Sequence, residues 1–480
     1  MYISKYQFNK VYNKGIRKIF KIIFLYKMKK NNYKYILGMK NEYGYVLDNV
    51  CGCVLDKIQR EIVLSEEKYA LVIAGAGSGK SLTIIGRILY LLEKGISLND
   101  ILVISFTNEA CNNLRKKIAN LNVVTFHKLG RDILKKNGYM VKLVNDNTLD
   151  NIIDFVLSNS TYEKKFYGEK KEILKKLLST FINLFKGSGY SEEDFDRFLN
   201  INNSDKEYLK EKNKIVLLLA REVYIRYESF LYQNGCIDFH DMISKSIEVI
   251  DERGIYPYKY VIVDEYQDTS IIKCKLVQVI INKTEASLLT VGDDFQSIYR
   301  FSGSNLKIFT EFERYFKGAR IFKMEKTYRN SSELLNITHK FILKNKNQIY
   351  KKVISDKHCL KPIYIYYYED EYVTLVNRLI EELGDVLVLG RNNKDLQGIN
   401  GRCMTVHKSK GLEAENVIIV NLEDNILGFP NRIIYDDVLK YVLDFKEHYP
   451  FEEERRLFYV ALTRARKKVF LLINNLSKSP

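Results

Sequence analysis

Between residues 70 and 130, short apolar runs alternate with stretches whose apolar positions recur every three to four residues. The runs are ALVIA at 70–74, ILVIS at 101–105 and VVT at 123–125. Strands of three to five residues, apolar on both faces and separated by helical patterns, belong to a parallel sheet covered by helices. The rhythm stops near residue 131. From there to 235 the pattern is helix after helix with Lys/Glu-rich outer faces, as in EKKEILKKLLSTFINLF, and it offers no strand. Strands resume with YVIVDE at 260–265 and SLLTVGDD at 287–294, so a helical insertion interrupts one α/β unit. A second α/β series follows, with IYIYYY at 363–368, DVLVLG at 385–390, CMTVH at 403–407, NVIIV at 416–420 and VFLLI at 469–473. The expected fold class is therefore α/β, with parallel sheets in two domains. The first domain takes residues 51–130 and 236–318, the insertion 131–235, the second domain 319–480, and an N-terminal arm 1–50.

The first apolar run leads into AGAGSGKS, Ala74 to Ser81, and then into the apolar helix LTIIGRILYLL. A buried strand, a glycine-rich turn and Lys-Ser opening a helix make the P-loop arrangement in its required context. Backbone N–H groups of Gly75, Ala76, Gly77, Ser78 and Gly79 would close around phosphate oxygens, aided by the helix N-terminus. Lys80 would reach the terminal phosphates and Ser81 would ligate Mg²⁺. Ala74 stands where the strictest pattern has glycine. The loop by itself does not separate kinase, GTPase, transporter and motor.

The run YVIV ends in Asp264-Glu265-Tyr266-Gln267-Asp268. Acids at the C-terminal end of a parallel strand stand where such sheets bind ligands. Asp264 suits Mg²⁺, and Glu265 suits orienting and deprotonating an attacking water. The next strand leads to VGDDFQSIYRFSG, which brings Gln296 to the same sheet edge as a sensor of phosphate or water.

Charge widens the picture. The chain of 480 residues carries 76 Lys+Arg against 59 Asp+Glu, a net +17 that suits a polyanionic partner. Residues 1–40 hold eleven Lys/Arg and no acid, with an apolar patch IFKIIFLY at 19–26. The patch is too short to span a bilayer, contains Lys21 and lacks a cleavage site, so no membrane role is expected. A nucleic-acid-touching arm, a solvated helix and an initiation at Met28 all stay open there. Seven scattered cysteines form no four-ligand cluster, which fits reduced thiols and a cytoplasmic protein.

Taken together, LDKIQREIV, AGAGSGKS, ISFTNEA, VTFHKLG, IDFHDMI, VDEYQDTS, VGDDFQSIYRFSGS, KTYRNSSEL, TVHKSKGLE and EEERRLFYVALTRAR occur in one order between residues 55 and 471. In this the chain resembles the UvrD/Rep-type superfamily 1 DNA helicases, in wording closest to the helicase IV branch. The resemblance implies two RecA-like domains closing on ATP and Mg²⁺. It implies that Gln59 reads the adenine edge, Tyr328 stacks on the ring and Glu413 contacts the nucleotide's sugar or phosphate region. Arg329 and Arg464 match the family's two arginine fingers; Arg391 is a further phosphate candidate. Phe106, Thr107, Thr125, His127, Tyr299, Phe301, Thr405 and His407 match positions that hold a single strand. Aromatic faces accept any base, at about 1–3 kcal/mol per stacked base.

Two departures from the family pattern matter. Phe301-Ser302 replaces the Trp-Arg of many members. Only 14 positions separate Arg391 from Thr405, where UvrD- and Rep-like relatives carry the large 2B insertion, which is not expected here. Only 16 residues follow Arg464, so a C-terminal nuclease is not expected either. The resemblance implies a monomeric ATP-dependent 3′→5′ helicase of single-stranded and tailed duplex DNA, in repair or recombination. The rivals are a strand translocase within a defence or repair complex, with a protein partner, and an ATP-gated nucleic-acid clamp.

Overall fold

The computed structural model describes residues 47–160, 171–201, 206–369, 371–432, 436–443 and 451–476. The basic stretch 1–40, its apolar patch and Met28 lie outside the described residues.

Two parallel sheets form the frame, as the α/β pattern implies. The first contains β1 (Tyr69–Ala74), β2 (Ile101–Ser105), β3 (Val123–Thr125), β4 (Tyr260–Val263), β5 (Ser287–Gly292) and β6 (Arg320–Met324). Their order across the sheet is β3-β2-β4-β5-β1-β6. The second contains β7 (Ile363–Tyr368), β8 (Val386–Gly390), β9 (Cys403–Thr405), β10 (Ala414–Leu422) and β11 (Ala465–Asn474), in the order β7-β11-β10-β8-β9. Helices cover both faces of the first sheet, and the central strands are buried throughout: Leu71, Val72, Ile73, Val103, Ile104, Val261 and Val263 are all inaccessible.

One strand escaped the sequence pattern. β6 pairs in parallel with β1, from Ala70↔Arg320 to Ala74↔Met324, and so belongs to the first sheet. The division at 318/319 therefore falls ahead of a strand that completes that sheet. β6 is an edge strand with exposed Arg320 and Lys323, and it presents no apolar run to read.

Between β3 and β4 the chain leaves the first sheet to build the insertion. Its helices Thr148–Ser158, Lys171–Gly187, Glu193–Asn200 and Glu207–Gln233 pack around Leu178, Phe181, Phe185, Phe195, Phe198 and Val216. Phe185 and Phe195 stack with centroids 4.4 Å apart. A segment of the second unit completes this core. Residues 436–443, which follow β10 in the chain, bury Val438, Leu439 and Val442 among the insertion's helices. Asn213 donates to the Asp437 carboxylate at 2.8 Å, the Ser188 hydroxyl donates to the Val442 carbonyl at 3.3 Å, and Lys212 pairs with Asp436. The insertion is thus held by the first sheet through the chain and by the second through a buried strap.

The connection from β8 to β9 is short, as its length requires. A single turn, Asn393–Leu396, carries the chain over, and Val406 N–H returns to the Gly390 carbonyl at 3.0 Å. Among the described residues no helix is long and apolar enough to cross a membrane.

Candidate active site and nucleic-acid interface

β1 ends at buried Ala74, and the chain turns through Gly75–Gly79 into the helix Lys80–Glu93. Two glycines here admit no side chain. Gly77, at φ +71°, would place a Cβ 2.4 Å from that of Arg329, and Gly79, at φ +87°, would place one 2.6 Å from Gln59 Nε2. Partners from both sides hold the turn. Gln59 Nε2 donates to the Ser78 carbonyl at 3.2 Å, while the Gln59 carbonyl oxygen takes the Asp56 N–H at 2.9 Å within a capping box. Thr327 donates its hydroxyl to the Ala76 carbonyl at 2.7 Å, Tyr328 N–H reaches the Gly77 carbonyl at 2.9 Å, and the Tyr328 hydroxyl donates to Asp56 at 2.7 Å. Gln59 and Tyr328 therefore flank the turn together.

The acids after β4 face this turn. Glu265 sits in the left-handed region at φ +52°, a strained placement for a non-glycine residue that aims its carboxylate at the loop. Its Oε1 lies 3.7 Å from Lys80 Nζ, and its Oε2 lies 3.8 Å from Lys410 Nζ and accepts from Gln267 at 2.6 Å. Burial works to raise the Glu265 pKa, but the charges of Lys80 and then Lys410 outweigh it and hold the group ionised. Burial, followed by the adjacent Glu265 charge, pushes Asp264 the other way. Two neighbouring carboxylates with pKa values driven apart are an arrangement that acid–base chemistry uses.

Gln296 is fixed from both ends. Its Nε2 donates to Asp293 at 2.6 Å, and its Oε1 accepts from Arg464 Nη2 at 3.0 Å. Arg464 is fully buried, with its pKa lowered to about 9 by desolvation and then by Arg329. Arg329 donates to Glu413 at 2.6 Å and to the Thr463 carbonyl at 3.2 Å. Glu413 also pairs with Arg466, so two arginines share its carboxylate. Arg391 is held by Glu454 at 2.8 Å.

The donors around the turn suit a nucleoside triphosphate with Mg²⁺. The Ser78 hydroxyl is buried without a hydrogen-bond partner, Ser81 is exposed at the helix start, and Asp264 supplies a carboxylate. A hydroxyl and a carboxylate are the oxygen ligands a hard divalent cation takes.

A second constellation lies at the ends of β2, β5 and β9. Phe106 and Tyr299 stack at 5.4 Å and 23°, Tyr299 and Phe301 lie 6.0 Å apart, and Phe301 meets the edge of His407 at 5.5 Å. The Tyr299 hydroxyl donates to the His407 carbonyl at 3.1 Å, joining the two sheets, and Phe301 stays 46% exposed. His127 packs edge-on against Phe239. Burial lowers the pKa of His127 and of His407 to about 4, with Lys273 and Arg391 respectively adding to the effect, so both rings are neutral at pH 7. Thr107 and Thr125 cap the helices that follow them, accepting from Ala110 N–H at 3.1 Å and Lys128 N–H at 3.4 Å. Thr405 closes β9 in register with Gly390.

Sequence reasoning missed several members. Lys410 bonds Asp268 and the Gln296 carbonyl; both residues stand inside quoted motifs and were legible in principle. Lys351 is buried between Asp293 (2.6 Å) and Asp294 (2.5 Å), and no local pattern announced it.

Residues 55–317 match the UvrD/REP helicase N-terminal domain, and residues 402–475 the UvrD-like helicase C-terminal domain. DNA helicase IV of Escherichia coli is 27% identical across 94% of this chain and 72% of its own length. ATP-dependent DNA helicase Rep of Buchnera aphidicola is 31% identical across 59% of this chain and 44% of its own. ATP-dependent DNA helicase PcrA of Bacillus subtilis is 26% identical across 81% and 52%. The chain thus spans about half of the Rep and PcrA relatives and more of helicase IV. With family models matched in both sheets, the chain belongs to the UvrD/REP helicase family.

Proposed function

We propose that the protein is an ATP-driven motor that moves 3′→5′ along single-stranded DNA and separates strands ahead of it. One observation carries this reading. The loop after β5 has Gln296 on the buried Arg464 at one end and, three to five residues later, Tyr299 and Phe301 in the aromatic row. A shift at the phosphates therefore has a short covalent path to the bases.

In this reading Glu265, held ionised, accepts a proton from the attacking water, whose oxygen bonds the γ-phosphorus as the bond to the ADP oxygen breaks. Lys80, Arg329 and Arg464 offset the charge gathering on the equatorial oxygens, and Gln296 orients the water. Ser81 and Asp264 would hold Mg²⁺, which when bound neutralises phosphate charge. Arg464 belongs to the second unit and Arg329 is held there by Glu413 and the Thr463 carbonyl, so hydrolysis follows closure and closure displaces Tyr299 against His407. The names of the relatives support the DNA helicase class, and the 3′→5′ polarity is inferred from the motif match.

The short link between Arg391 and Thr405 favours a second reading, a translocase with little unwinding of its own. Strand displacement on 3′-tailed and 5′-tailed duplexes, run beside ATP turnover with and without single-stranded DNA, tests both. The motor reading expects DNA-stimulated turnover and displacement of the 3′-tailed substrate. Turnover without displacement supports the translocase. Turnover indifferent to DNA rejects both and leaves the clamp.

A further inference from the structure

Lys273 stands in the first turn of the helix Ile271–Thr284, just after the acidic run 264–268. Its ammonium lies 4.8 Å from the centroid of Phe106, at the end of β2, and 5.8 Å from that of Phe126, which follows β3. β3, β2 and β4 are neighbours in the sheet, so three strand ends converge on this side chain. Phe106 is the ring that stacks on Tyr299. The cation therefore sits beneath the first member of the aromatic row.

Other buried lysines among the described residues have partners. Lys186 contacts Glu228, Asp238 and Asp241; Lys351 contacts Asp293 and Asp294; Lys410 contacts Asp268 and the Gln296 carbonyl. Lys273 differs. It is partly buried, and among the described residues its ammonium makes neither a hydrogen bond nor an ion pair. Asp268 engages Lys410 through Oδ2 and leaves Oδ1 without a hydrogen-bond partner; its charge works against the lowering of the Lys273 pKa by burial, yet no direct contact joins the two side chains. Two ring faces offset only part of the desolvation of an ammonium, and its three N–H donors stay unused. Neither the rings nor Asp268 gives this ammonium a hydrogen bond. An anion arriving from outside does.

We propose that Lys273 binds a backbone phosphate of the single strand, at the nucleotide whose base lies against Phe106 and Tyr299. This rests on the reading of the aromatic row as the strand's path. It gives the first sheet a fixed charge contact beside a sequence-blind stacking surface, a combination that tracks a strand without reading it.

The test is fluorescence titration of a short labelled single strand across a salt series, for the wild type, Lys273→Met, Lys273→Gln and Lys273→Arg, with a thermal melt of each variant. Removing one phosphate contact should make the slope of log affinity against log salt shallower by about 0.7, the single-strand value per charge. Affinity at low salt should fall by about tenfold in Lys273→Met and Lys273→Gln and be restored in Lys273→Arg. A scan with single neutral methylphosphonate linkages should contain one position that weakens the wild type and leaves Lys273→Gln unaffected. An unchanged slope, or identical scans in folded variants, overturns the proposal while leaving the motor reading intact. A wild type that does not bind single strands overturns the motor reading, and this contact with it.

Discussion

The nucleotide cleft and the aromatic row are joined by one loop, yet they are built on opposite terms. In the cleft nearly every charge already faces a fixed partner: Lys80 with Glu265, Arg329 with Glu413, Lys410 with Asp268, Arg464 with Gln296. In the row, rings rest on rings, both histidines are neutral, and Phe301 is open to solvent. Buried ion pairs tolerate little, because removing one partner strands the other at a cost of about 3–5 kcal/mol. Stacking is forgiving, since each ring contributes about 1–3 kcal/mol to whatever base is there. Chemistry demands the first kind of surface, and walking over any sequence demands the second.

That contrast breaks most visibly at Lys80. Lys80→Ala should lower ATP turnover by about 10³-fold, the scale expected when a preorganised charge is removed from a phosphoryl-transfer site. Single-strand affinity should change by no more than about twofold, because the row lies on other strand ends. Equal loss of both in a folded variant would show that cleft and row are one site. Glu265→Gln comes next, with turnover down by about 10²-fold and ATP affinity kept, as expected when a general base is lost. Normal turnover would move the base to another group.

The same contrast explains what was legible in the sequence. AGAGSGKS and DEYQD could be read because their residue types are costly to bury without a reason, and the spacing supplies one, whereas Arg329 and Arg464 were legible only through the resemblance. The parallel strands could be read because both their faces are apolar. The edge strand β6 could not, since only alternate positions are buried. The strap 436–443 could not either. Val438, Leu439 and Val442 resemble the core of their own unit, and nothing local says that they join a cluster with Phe198 and Val216, more than two hundred residues earlier. Lys351 and Lys273 were hidden for the same reason: a lone lysine is ordinarily a surface residue, and only the fold brings Asp293 or Phe106 to it. The aromatic row lies between these cases. Its rings were named, but a ring at a strand end packs as readily as it binds.

Phe301→Ala sharpens the comparison from the row's side. Removing the exposed ring should weaken single-strand binding by about tenfold, within the range for one stacked base. It should also raise the ATP consumed per nucleotide travelled, since each closure then pushes on a strand that slips. Turnover at saturating DNA should stay within about threefold of the wild type, because Gln296 keeps its partners Asp293 and Arg464. An unchanged ratio of ATP to distance takes Phe301 off the track.

The smallest effect belongs to Thr125, where the two kinds of surface share one hydroxyl. Its oxygen accepts the Lys128 N–H at 3.4 Å as the cap of the helix Phe126–Lys136. A hydroxyl has two acceptor sites and one donor, so capping leaves the O–H free to reach a phosphate oxygen. Thr125→Ala should therefore cost about 1 kcal/mol of stability through the lost cap and, separately, lower single-strand affinity by about fivefold. Thr125→Ser keeps the hydroxyl and should restore both. Thr125→Val keeps the shape without the hydroxyl and should restore neither. Chemical denaturation reads the first quantity and titration with a labelled strand reads the second, so the two roles separate cleanly. Stability that falls while affinity holds assigns Thr125 to the helix alone, and the strand then begins its path one strand further in, at Phe106.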